Sequence, residues 1–121
     1  MPSETILVVD DSPTDRRLVC APLQAVGYAV LTATDGEEAI EKATRARPRL
    51  IVLDVVLPRK NGFQVCRQLK ADAQTRGIKV LLLTSKSQES DRFWGMKQGA
   101  DGYMTKPFSD EELLDSVARL L

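Results

Sequence analysis

Histidine is absent from this chain of 121 residues. Imidazole acid–base chemistry, metal binding through imidazole and Ser-His-Asp triads are therefore excluded. An excess of one charge is missing too, since 17 Lys and Arg balance 17 Asp and Glu. Bulk electrostatic attraction to a polyanion needs a basic excess, so nucleic acid is not an expected partner. No apolar run approaches the roughly 18 residues of a membrane span. The opening "MPSETILVVDD" has neither the basic region nor the apolar core of a signal peptide. A cytoplasmic location without a membrane partner is the expectation. Cysteine is sparse: Cys20 and Cys66 stand far apart without a CxxC pattern and read as reduced core residues.

What is present suits one compact domain over residues 1–121, with 43% hydrophobic residues for its core. Apolar runs and helical periodicities alternate strictly. Residues 5–9 ("TILVV"), 28–33 ("YAVLTA"), 50–53 ("LIVL"), 80–83 ("VLLL") and 102–105 ("GYMT") read as strands. Residues 16–26, 35–47, a stripe holding Phe63, Val65, Cys66 and Leu69, residues 88–98 and residues 109–121 read as helices. Ser12-Pro13 supplies an N-cap and a first-turn proline. Asp35 with Glu38 and Ser109 with Glu112 resemble capping boxes, and Gly99 a closing glycine. Phe93, Met96 and Ala100 share a stripe expected to face the core; Trp94, turned about 100° from Phe93, is either half-exposed to a partner or flat on its own domain. Pro22 falls inside the first helix and should kink or shorten it.

Strands alternating with helices predict an α/β domain, a doubly wound five-stranded parallel sheet with five helices on its two faces. Continuous runs such as "LIVL" fit strands covered on both sides. Ligands of such sheets bind beyond the carboxyl ends of the strands. There the chain places Asp10 and Asp11, Asp54, Thr84 and Ser85, and Lys106 followed by Pro107. A polar residue at one strand end is ordinary, because Asp and Thr also serve turns and caps. Chemically matched residues at successive ends point to one site.

Clustered carboxylates repel one another and call for a cation, and a hard ion such as Mg²⁺ suits oxygen ligands. With Lys106 and a hydroxyl beside it, such a site suits phosphoryl transfer. Asp54, alone on its strand, is the candidate nucleophile that forms an acyl phosphate.

"ILVVDDS", "LIVLDVVLPRKNGF", "VLLLTSK" and "GADGYMTKPF" resemble the receiver domain of two-component response regulators, over essentially the whole chain. The resemblance implies the chemotaxis-receiver strand order 2-1-3-4-5, the flavodoxin-like order, which the pattern alone does not give. It implies that Asp54 accepts a phosphoryl group from a phospho-histidine of a histidine kinase. Asp10, Asp11, Asp54 and the backbone carbonyl of Val56 would hold Mg²⁺. Thr84 and Lys106 would bind phosphoryl oxygens, and the Lys106–Pro107 bond would be cis. A switch through Thr84 and Tyr103 would alter a face made by the fourth helix, fifth strand and fifth helix. Catalysis would be confined to the domain's own phosphorylation and dephosphorylation.

"QESDRFWGMKQGA" and "GFQVCRQLK" are similar to stand-alone regulators of type IV pilus twitching and phototaxis systems. This implies a downstream motility or signalling protein as partner, a monomer or weak dimer, and no output domain. Val56 departs from the polar residue many relatives carry two positions after the acceptor, and Lys86 stands two positions after Thr84. Both positions bear on the lifetime of the acyl phosphate. A phosphate sink for a partner regulator and a module acting without phosphorylation are the alternatives. A haloacid-dehalogenase-type phosphatase would need a second Asp where Val56 stands. A flavodoxin-like cofactor binder would not carry the acidic "DDSPTD" as its phosphate loop.

Overall fold

The alternation in the sequence becomes five strands and five helices in the computed structural model, which describes residues 4–85 and 89–121. The order is β1 (Thr5–Val9), α1 (Pro13–Ala25), β2 (Ala29–Ala33), α2 (Gly36–Ala46), β3 (Leu50–Asp54), α3 (Gly62–Ala71), β4 (Lys79–Thr84), α4 (Glu89–Lys97), β5 (Gly102–Thr105) and α5 (Asp110–Leu120). All pairings are parallel, in the order β2-β1-β3-β4-β5. The register pairs Val9 with Leu53, Asp54 with Leu83, and Thr84 with Thr105, so the carboxyl ends of the four central and right-hand strands lie side by side.

Period-two alternation splits the strand residues between two cores. Leu7, Val9, Ile51, Leu53, Val80 and Leu82 pack against Ala39 and Ala43 of α2 and Val65, Cys66 and Leu69 of α3. Ile6, Val8, Leu50, Val52, Leu81 and Leu83 pack against Val19 and Leu23 of α1 and Leu113 and Val117 of α5. Every residue of β3 is buried, which is why its run is apolar without interruption until the terminal Asp54. Both cysteines are buried and unpaired, and burial pushes the Cys66 thiol up to about 11. Among the described residues no helix is long and apolar enough to cross a membrane.

The caps follow the sequence in most places. Ser12, Asp35, Asn61 and Ser109 are N-caps, with reciprocal capping boxes at Asn61–Gln64 and Ser109–Glu112. The expected box at Asp35 is only half formed. Asp35 accepts from the Glu38 N–H at 2.8 Å, but Glu38 reaches one residue further back and accepts from the Thr34 N–H at 2.8 Å. Glycines in the left-handed region close α1 and α4: Gly27 at φ 105° and Gly99 at φ 94°. Each end forms a Schellman pair, with Tyr28 N–H to Leu23 O and Ala100 N–H to Gly95 O as the longer bonds.

Two helical expectations are corrected. α1 runs on past Pro22 to Ala25, so the proline does not cut the helix short. The lost bond is to the carbonyl of Leu18, whose side chain is exposed, so water can serve that acceptor, while buried Val19, Cys20 and Leu23 hold the helix on the sheet. Of the stripe of Phe93, Met96 and Ala100, Ala100 beyond the end of α4 is buried in the core, but Phe93 and Met96 do not face it; they are 55% and 49% exposed. The inward position is Gly95, where a Cβ would stand 2.9 Å from Leu82 Cδ1 and 3.4 Å from Tyr103 Cδ2. The helix lies too close to the sheet for a side chain there, and Phe93, Trp94 and Met96 turn outward. Of the two readings of Trp94 the half-exposed one holds: it lies edge-on to Phe93 at 5.8 Å, with the Lys97 ammonium over both rings.

Gly62 opens α3 directly behind the end of β3. A Cβ there would lie 2.4 Å from the Asp54 carbonyl oxygen and 2.7 Å from Val55 Cα. Gly62→Ala is expected to lower unfolding free energy by about 1–3 kcal/mol, because backbone must move. Gly77→Ala, which meets nothing within 4 Å, is expected to be neutral or to stabilise by about 0.5 kcal/mol. Urea unfolding of the pair checks this; equal effects would refute the close approach as the cause.

Candidate functional site

The aligned strand ends bring the expected side chains together. Asp10 follows β1 and is 2% exposed. Its Oδ1 accepts from the Ser12 N–H at 3.0 Å and its carbonyl from Arg16 Nη1 at 2.8 Å, so the start of α1 fixes it in place. Asp11, next to it, is exposed. Asp54 ends β3 and is buried, its Oδ1 accepting from the Val56 N–H at 3.2 Å. Thus Asp54 stands at the open end of its strand yet is shielded by the groups around it. Thr84 is buried at the end of β4, and its carbonyl accepts from the Lys106 N–H at 2.6 Å. The Lys106–Pro107 bond is cis. Val56 is exposed beside the site. Lys86 lies outside the described residues.

Lys106 is the hub. Its Nζ donates to Asp10 Oδ2 at 3.2 Å, Asp15 Oδ2 at 3.1 Å and Asp54 Oδ2 at 3.3 Å. Asp15 is a site residue that the strand-end reading misses, since it arrives from the first turn of α1. The signal was present in "DDSPTD": with Ser12 as N-cap, Asp15 is the third helical residue, and the first turn of a helix beginning at a strand end overlooks that end.

Three carboxylates around one ammonium, with Asp11 close by, leave an excess of negative charge. Burial, then the neighbouring charge of Asp10, pushes the Asp54 carboxyl up from 3.8 to about 6, against the pull of Lys106 and the Val56 N–H. For Lys106, burial works to lower the pKa, but Asp54 and Asp10 outweigh it and the ammonium is held more firmly charged. One carboxylate oxygen from each of Asp10, Asp11 and Asp54 lies within 4.8 Å of the others. This hard, anionic donor set fits a divalent cation such as Mg²⁺. Beside it opens a cavity of about 480 Å³, lined by Asp15, Leu18, Ser85, Lys106, Pro107, Phe108 and Asp110.

Tyr103 pairs in register with Leu82 on β4 and packs against the same core. Leu82 and Thr84 are two apart, so Thr84 and Tyr103 share one face of the sheet, beneath α4.

Comparison with known proteins places this architecture. The family model for the response regulator receiver domain matches residues 6–118, and the chain belongs to that family. It is 43% identical to Protein PilH of Pseudomonas aeruginosa over 116 residues, covering 96% of each. It is 46% identical over 119 residues to the alkaline phosphatase synthesis transcriptional regulatory protein PhoP of Bacillus subtilis, of whose length it spans about half (49%). Among solved structures, chemotaxis response regulator CheY4 of Vibrio cholerae superposes with a TM-score of 0.93 at 37% identity, covering 98% of this chain and 99% of that one. The receiver domain of sensor histidine kinase PA1611 from P. aeruginosa, solved with magnesium in its active site cleft, superposes at 0.90 with 30% identity, covering 98% and 97%. Receiver domains are signalling modules that receive phosphoryl groups from histidine kinases.

The raised Asp54 has a measurable consequence. An acid whose folded pKa exceeds its unfolded one stabilises the fold fully below the unfolded value, 3.8, and loses that contribution as pH rises through about 6. In metal-free protein at pH 7.5, Asp54→Asn is expected to be more stable than wild type by about 1–3 kcal/mol. The difference should shrink towards pH 4. Urea unfolding across that range is the check, and a pH-independent difference would refute the electrostatic origin.

Proposed function

We propose that this chain is a phosphorylatable receiver in which Asp54 is the phosphoacceptor, serving a two-component phosphorelay in the cytoplasm. The observation that carries the reading is the convergence of Asp10, Asp11, Asp54 and Lys106 at adjacent strand ends, with three carboxylates placed to share a cation. An Asp54 oxygen forms a bond to phosphorus as the bond from phosphorus to the donor's imidazole nitrogen breaks, the electron pair staying on that nitrogen. The chain has no histidine, so the donor is a separate phospho-histidine, that of a sensor kinase. Asp10, Asp11, Asp54 and the Val56 carbonyl would hold Mg²⁺, which when bound supplies positive charge to the phosphoryl oxygens. Lys106 and the Thr84 hydroxyl bind those oxygens from the protein side. The domain so catalyses its own phosphorylation and dephosphorylation and no other reaction.

The readout is a protein-interaction face of α4, β5 and α5, coupled to the site through Thr84 and Tyr103, which share a sheet face. Exposed Phe93, Trp94 and Met96 on α4 give that face apolar anchors. Similarity to Protein PilH, and of "QESDRFWGMKQGA" to regulators of pilus twitching and phototaxis, supports control of type IV pilus motility or taxis through a downstream protein.

Intact mass after incubation with Mg²⁺ and a small acyl-phosphate donor tests the acceptor. The expected result is one phosphoryl adduct, dependent on Mg²⁺ and abolished in Asp54→Asn. The same adduct on Asp54→Asn would overturn the assignment.

A further inference from the structure

An ammonium has three N–H donors, and in this chain Asp10, Asp15 and Asp54 take all three of Lys106's. If Lys106 is to meet an oxygen of a phosphoryl group on Asp54, one carboxylate must let go. The three differ in what release entails. Asp10 is 2% exposed, so water has little access to take the ammonium's place there. Asp54 is the group that carries the phosphoryl, so its own oxygens stay beside Lys106. Asp15 has a side chain 42% exposed at the rim of the cavity, where water can replace the ammonium. Its backbone N–H is tied separately to the Ser12 hydroxyl at 3.3 Å, so the side chain can turn away without disturbing the start of α1. Asp15 also stands apart from the oxygens of Asp10, Asp11 and Asp54 that could share a cation.

We propose that Asp15 is a positioning residue that holds Lys106 in the resting state and releases it to an oxygen of the phosphoryl group on Asp54. It thereby competes with the phosphoryl group for one ammonium and weakens the phosphorylated state. This inference rests on the reading of Asp54 as phosphoacceptor. It gives α1 a part in setting how readily the site stays loaded, through a carboxylate that needs no contact with the phosphoryl group.

The test is the affinity of the full chain for beryllofluoride in the presence of Mg²⁺, followed by ¹⁹F NMR. Beryllofluoride stands in for the phosphoryl group on a carboxylate. Asp15→Asn and Asp15→Ala should each bind it about two- to fivefold more tightly than wild type, the range of an exposed ion pair. Asp110→Asn removes the same charge from the lining of the same cavity but none of the ion pairs of Lys106, and should leave affinity unchanged. In a Lys106→Met background the gain from Asp15→Asn should vanish, which a merely structural role for Asp15 would not produce. Unchanged or weaker binding in both Asp15 variants overturns the proposal, as does an equal gain without Lys106. Failure of the wild type to bind beryllofluoride, or binding that survives Asp54→Asn, overturns the acceptor reading itself and this proposal with it. Normal wild-type binding without the Asp15 effect overturns this proposal alone.

Discussion

A single ammonium makes the arrangement of strand ends tenable. Asp10 and Asp54 are buried side by side on neighbouring strands, and two such carboxylates would otherwise press the ends of β1 and β3 apart or take up a proton. Lys106 reaches both from the far side of β4. Its own position depends on the backbone bond to the Thr84 carbonyl, and hence on the register of β4 with β5. The chemistry at the site and the pairing of the sheet are therefore one problem: moving β5 by one residue would remove the cation and leave the carboxylates unbalanced.

The compensation is incomplete. Asp54 keeps a pKa near 6 despite Lys106, because burial and Asp10 together exceed what one ammonium returns. The fold retains an electrostatic cost at the place where a cation and a phosphoryl group are proposed to act, a pattern found where function rather than stability sets the local chemistry. Apolar packing on both faces of the sheet carries the difference.

Much of this was legible in the sequence because it lies in strands. A strand's end is marked by where its apolar run stops, so Asp10, Asp54, Thr84 and Lys106 could be placed on one edge from the alternation of elements alone. The capping box at Ser109–Glu112 was legible because it is local. Helical faces were harder. Asp15 approaches the site from a helix, and its partner Lys106 is 91 residues away, a distance that no local pattern reports. The α4 stripe misled for a related reason. Helical periodicity shows which residues share a side, but the depth of contact decides which side faces in, and in α4 the closest approach belongs to Gly95. At Glu38 the choice between the N–H of Asp35 and that of Thr34 depended on side-chain reach, which spacing does not specify.

Gly95 has a further bearing on how α4 meets the sheet. Most helices in this domain dock by side chains seated between strands, like teeth in a rack, and can shift only by unseating them. At its closest point α4 presents a smooth surface to Leu82 and Tyr103. Beyond its last turn the Gln98 carbonyl accepts from Cys66 Sγ at 3.6 Å, and buried Ala100 joins the core. A helix that meets a sheet through a glycine has no side chain to unseat at that point, so this contact resists sliding less than a toothed one does.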